Sequence, residues 1–112
     1  ATLIPPEKLP DVKIWTNGIE ERFAVGGRRR LNIDPGYLSA SHLILATGKG
    51  FAHRPYLRDG IYADLTLLYR EGGFKTLPWT YPDYASPKLT GLLVKIRAKY
   101  MEQLKTIRKE AL

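Results

Sequence analysis

The side chains in this sequence best suited to chemistry fall between residues 28 and 84. His53 and Asp64 are an imidazole and a carboxylate, the two groups that most often share acid–base work, with Asp34 as a third candidate. Arg28, Arg30, Lys49 and Arg54 supply positive charge, and guanidinium groups grip phosphate or carboxylate through paired hydrogen bonds. Asn32, Tyr37, Tyr62 and Trp79 add polar and aromatic surface around them. Together with His53 these residues form a candidate site for an anionic ligand. Each has a plainer reading. Arginines decorate strand starts, Asp34 caps its own turn, and a lone tryptophan anchors a core.

Several other chemistries find little support. Gly48-Lys49-Gly50 looks like a piece of a phosphate loop, but the full motif GxxxxGK[ST] is missing. What remains is a flexible backbone and one ammonium beside His53 and Arg54. His42 and His53 stand eleven positions apart, without the close spacing that puts two imidazoles on one metal, so no metal centre is expected. No residue pattern names a cofactor. Asp64 lies between Tyr62 and Thr66 in a strand-like run, and a buried carboxylate there needs a cationic partner, for which Arg30, His53 and Arg54 are the candidates.

With 112 residues, 44% apolar and 26% charged, the chain is the size and composition of one folded domain. It has no cysteine, a habit of proteins in a reducing cytoplasm, and its apolar runs are too short for a membrane helix. The net charge of +7 favours anionic partners, nucleic acid among them. That charge is uneven: residues 88–112 carry seven Lys/Arg against two acidic residues, and residues 1–87 carry eleven against nine. Most of the excess belongs to the last segment, where a solvated helix face is the plain alternative to a nucleic-acid contact.

The elements that must position these residues read as an α+β domain. Pro5, Pro6 and Pro10 predict an extended entry over residues 1–11, followed by a short strand at 12–15. Asn17 with Glu20 has capping-box spacing for a helix that Gly26-Gly27 would stop. Residues 30–33 alternate as a strand and Asp34-Pro35-Gly36 is turn chemistry. Residues 42–47 read as a central strand, with a helix over 39–46 as the competitor. Asp59-Gly60 joins strands at 54–58 and 61–69, since Asp-Gly favours a type I′ turn, and the odd-numbered residues 61 to 69 form its core face. Glu71-Gly72-Gly73 turns the chain into a strand at 74–77, and an aromatic loop follows at 79–84. Beyond Ser86 and Pro87, Leu89, Leu92, Leu93, Ile96, Tyr100, Leu104 and Ile107 recur at helical spacing. The sum is an antiparallel sheet of four or five short strands covered by a long C-terminal amphipathic helix over 86–110.

Several blocks in order carry a family resemblance: Arg30-Leu31-Asn32-Ile33-Asp34-Pro35-Gly36-Tyr37-Leu38, Leu43-Ile44-Leu45-Ala46-Thr47, His53-Arg54-x-Tyr56-Leu57, Gly60-Ile61-Tyr62-Ala63-Asp64-Leu65-Thr66-Leu67 and Pro78-Trp79-Thr80-Tyr81-Pro82-Asp83-Tyr84. The chain resembles the prokaryotic family called domain of unknown function 4416, which brings no established activity. The resemblance implies that this chain corresponds to the carboxy-terminal part of a longer family domain. Missing strands would then leave an open sheet edge, which seeks self-association or a companion chain. Around Lys49 the family favours a threonine before and an acidic residue after, where this chain has two glycines.

Three functions follow as expectations. The first is a cytoplasmic binding module for an anionic ligand, a nucleotide, phosphate or nucleic acid. The second is an enzyme on a phosphorylated substrate with His53 and Asp64 as its acid–base pair. The third is a structural or assembly subunit with no small-molecule site.

Overall fold

A computed structural model describes residues 3–28 and 31–111. A single 3-10 turn at Pro6–Lys8 leads into helix α1, Leu9–Arg22. Strands β1 (Gly36–Leu38), β2 (His42–Thr47), β3 (Tyr56–Arg58), β4 (Ile61–Arg70) and β5 (Gly73–Thr76) follow, and helix α2, Pro87–Ala111, comes last. The five strands described form an antiparallel sheet in the order β1-β2-β4-β3, with β5 also paired to β4. The architecture is the α+β class that the sequence predicts. No helix among the described residues is long and apolar enough to cross a membrane.

By their contacts the residues divide into two compact units, Ala1–Tyr37 with Ile44–Asp64, and Leu38–Leu43 with Leu65–Leu112. In the first unit Pro5 is extended, but residues 6–11 of the expected extended entry are the 3-10 turn and the start of α1. Residues 12–15 lie within α1 and are not a strand. Pro10 sits in the first helical turn, where a missing N–H costs nothing, so it starts the helix it was expected to prevent. Asn17 is accordingly inside α1 and not its cap. After Leu9 and Pro10, the residues that α1 buries are polar: Lys13, Thr16 and Glu20 are 7%, 4% and 0% exposed. Thr16 Oγ1 donates to the Lys13 carbonyl at 2.9 Å, and the other two share a partner. Lys13 Nζ donates to the Ile33 carbonyl (3.2 Å), and Glu20 Oε1 accepts from the Ile33 amide (2.9 Å). The helix thus holds both backbone groups of Ile33, and residues 31–34 form no strand, contrary to the expectation for 30–33. Buried backbone groups must find partners, and here two long charged side chains supply them.

Two hairpins share one turn geometry. Asp59 and Gly60 have φ of 53° and 77°, and Glu71 and Gly72 have 50° and 78°. Positive φ at both central residues is the type I′ turn that matches strand twist. The first turn joins β3 to β4 in the first unit, with Tyr56 opposite Tyr62 and Arg58 opposite Ile61, the register shifting between them. Arg58 also ion-pairs with Asp11 and Asp59, both at 2.9 Å. Hydrogen bonds to Asp11, then to Asp59, hold its guanidinium above the usual arginine range. Such an exposed bridge orients the start of α1 more than it stabilises it.

In the second unit, Leu43, Leu67, Phe74 and Leu93 form the core, with Leu38, Tyr69, Tyr84, Leu89 and Val94 packed against them. Ser86 Oγ accepts from the Leu89 amide at 3.3 Å, the cap that the sequence predicts for α2. Only part of the apolar stripe on α2 is covered: Leu92, Ile96 and Ile107 are exposed. Arg97 does part of the packing that the periodicity assigned to them, stacking 3.5 Å over the Tyr69 ring while its Nε donates to the Ala40 carbonyl at 2.8 Å.

Two glycine substitutions separate close packing from open space. A Cβ on Gly36 would collide with the Ile44 carbonyl oxygen, which is backbone and cannot swing aside, so Gly36→Ala forces β1 off β2. Chemical denaturation should register a loss of about 1–3 kcal/mol. Gly91 in α2 meets nothing within 4 Å, and Gly91→Ala should raise stability by about 1 kcal/mol.

Candidate functional site

The site is built where the loop after β2 returns to β4. Thr47 ends β2 and its Oγ1 accepts the Lys49 amide at 3.2 Å, which turns the chain. Gly50 then passes over Tyr62 so closely that a Cβ there would be 3.0 Å from the phenol ring, and any side chain at this position would have to push that ring aside by a few tenths of an ångström. Residues 51–54 close a tight turn through the Arg54 amide and the Phe51 carbonyl, 3.0 Å apart. That turn delivers His53 and Arg54 to the same place.

Asp64 of β4 receives both. Arg54 Nε donates to Asp64 Oδ2 at 2.8 Å, and His53 Nε2 lies 3.4 Å from the same oxygen. The three side chains are only 12% (Arg54), 13% (Asp64) and 15% (His53) exposed. A half-sequestered carboxylate mid-strand needs cationic partners, and two of the three candidates that the sequence offers are found there. The third, Arg30, lies outside the described residues. Arg54 also donates from Nη1 to the Lys49 carbonyl at 3.1 Å, so one guanidinium spans strand, loop and carboxylate.

Aromatic rings surround this cluster. The Phe51 and His53 rings stand 5.4 Å apart at 56°, and the Arg54 guanidinium lies 6.0 Å from the Phe51 centroid. Tyr62 meets Tyr56 edge to face at 5.1 Å. Phe51 is 70% exposed and Tyr56 59%, so both offer ring surface to solvent. Neither was singled out from the sequence. The available signal was a phenylalanine directly after Gly-Lys-Gly, a place where an apolar ring has no core to enter.

The structure therefore brings together His53, Arg54, Asp64, Tyr62 and the Lys49 backbone, with the Lys49 side chain exposed. The other expected residues are placed elsewhere. Asn32 Nδ2 donates to Asp34 Oδ2 at 3.3 Å, and both side chains are exposed. The carboxylate of Asp34 is thus engaged from two residues upstream. Tyr37 is half-buried on β1, and Arg28 is exposed, its backbone bridged to Val25 across the Gly26-Gly27 turn. Trp79 belongs to the other unit. There its indole Nε1 donates to the Leu65 carbonyl at 2.7 Å, beside Thr80 Oγ1 on the Thr66 carbonyl at 2.7 Å. That side chain serves β4, the anchoring role that is the plain reading of a single tryptophan.

Removing the charge that organises the cluster has a defined cost. Asp64→Asn leaves the Arg54 guanidinium sequestered with a neutral acceptor, and urea unfolding should report a loss of about 2 kcal/mol. An Asp64→Asn/Arg54→Met double variant should recover part of it, since neither charge is then stranded.

Searches of curated proteins and of solved structures returned no match to this chain. A family model does match, over residues 1–100, and it is described as a domain of unknown function, DUF4416. With nine-tenths of its length inside that match, the chain belongs to the DUF4416 family.

Proposed function

We propose that the loop of residues 48–54, clamped to β4 by Asp64, is a binding site for an anionic ligand carrying a ring, a nucleotide or a nucleic-acid phosphate with its base. The observation that carries this reading is the Asp64 clamp, which holds His53 and Arg54 in one place beneath an exposed Lys49 and an exposed Phe51. Asp64 offsets one positive charge and fixes the direction of both partners. Arg54, with Nε on Asp64 and Nη1 on the Lys49 carbonyl, offers Nη2 to a phosphate oxygen, Lys49 adds an ammonium, and the amides of Gly48 and Gly50 flank the turn that Thr47 holds through the Lys49 amide. Phe51 and Tyr56 offer faces for a base to stack on. The cysteine-free sequence suits a reducing cytoplasm as its place of action.

Calorimetric titration with inorganic pyrophosphate and with ATP tests the reading. Affinity for both should fall as salt rises, because binding neutralises charge and releases counterions. Lys49→Ala and Arg54→Ala should each weaken binding by roughly tenfold, the worth of one charge-assisted hydrogen bond. Phe51→Ala should reduce only the preference for ATP over pyrophosphate, by about 1–3 kcal/mol. Affinity indifferent to salt and to both cationic substitutions would overturn the proposal.

One observation favours a second reading, an enzyme acting on a phosphorylated substrate. The 3.4 Å approach of His53 Nε2 to Asp64 sets an imidazole beside a carboxylate, the pair of groups that acid–base work uses. Under that reading His53→Gln keeps pyrophosphate affinity within a few-fold while phosphoester turnover is lost. If no turnover exists to lose, the binding module stands alone.

A further inference from the structure

After Leu9 and Pro10, helix α1 buries only polar side chains, and it leaves two large apolar ones in solvent beside the charged Asp11 and Arg22. Lys13 and Glu20 are buried on Ile33 and Thr16 is buried on the Lys13 carbonyl, whereas Trp15 is 67% exposed and Ile14 46%. A tryptophan that exposed, beside a second large apolar residue, marks an interaction surface.

The outward face is ordered. Asp11, Trp15, Gly18 and Arg22 follow one another at spacings of four, three and four residues, which places them on one seam of the helix. Ile14 and Ile19 border that seam on its two sides. The order reads as its own complement when reversed: acid, large ring, gap, base. Gly18 leaves real space, since a Cβ there would meet nothing within 4 Å.

We infer that this seam is an interface between two copies of the chain, with α1 of each copy packed antiparallel on the other about a two-fold axis level with the Thr16–Asn17 peptide. In that arrangement Asp11 of each copy stands opposite Arg22 of the other, and each Trp15 ring lies over the gap left by the other's Gly18. Both contacts occur twice, as an isologous interface requires. Asp11 already binds Arg58 of its own chain through Oδ1, so its second oxygen meets the partner's guanidinium while the first stays in place. Charge complementarity sets the antiparallel direction, because a parallel pairing would set Asp11 against Asp11 and Arg22 against Arg22. This differs from the open sheet edge implied by the family resemblance. The surface lies on a helix and is made by side chains.

Sedimentation equilibrium of the 112-residue chain over a wide concentration range is the test. The mass should move from one chain to two as concentration rises. Gly18→Leu fills the gap, and Arg22→Glu sets carboxylate against carboxylate. Each should raise the dimer dissociation constant by at least about tenfold, while circular dichroism reports an unchanged fold. Adding Asp11→Lys to Arg22→Glu should bring the dimer back. A mass of one chain at every concentration would overturn the inference and leave the seam for a different occupant. A dimer that survives both single substitutions would overturn it as well, by placing the interface elsewhere.

Discussion

One carboxylate organises the candidate site. Asp64 stands in the middle of β4, mostly withdrawn from water, and a charge in that position must be met by opposite charge or by hydrogen-bond donors. His53 and Arg54 meet it, and both come from a loop outside the five described strands, closed on itself by the Phe51–Arg54 bridge. The ladder of β4 fixes where Asp64 is. Asp64 in turn fixes where the loop is. A glycine at position 50 lets the loop approach Tyr62, and the Arg54 bond to the Lys49 carbonyl closes the ring of contacts.

The same logic appears at α1. Lys13 and Glu20 reach Ile33 and answer the carbonyl and the amide of one residue, so a segment without strand partners is held by side chains. In both places the chain uses buried charge to pin irregular backbone, and a charge so used specifies position more than it adds stability. The consequence for α1 is chemical as well as structural. Lys13, Thr16 and Glu20 are spent inward, while Ile14 and Trp15 lie outside beside Asp11 and Arg22.

The parts of this fold written in local chemistry were legible in the sequence. Asp59-Gly60 needs only two residues to set a type I′ turn, and Ser86-Pro87 needs only a first turn to start α2. The need of Asp64 for a cation was readable as a condition, since a carboxylate in mid-strand requires one once it is buried; the strand period itself put Asp64 on the face opposite the expected core. The opening segment was not legible in this way. Proline predicts breakage unless its position in the helix is known, and an inward face of Lys13, Thr16 and Glu20 has no apolar period to detect. What justifies that face is Ile33, thirteen to twenty residues away. Trp79 follows its plainer reading, with the indole N–H used on the carbonyl of Leu65.

An account centred on Asp64 is tested most directly by following backbone amides of the ¹⁵N-labelled chain as pyrophosphate is added, in the wild type and in Asp64→Asn. The account predicts shifts concentrated in residues 48–54 and at Tyr62 in the wild type, and their loss when the carboxylate is neutralised and the loop is released. Shifts centred elsewhere, or the same loop shifts with equal affinity in Asp64→Asn, would contradict it.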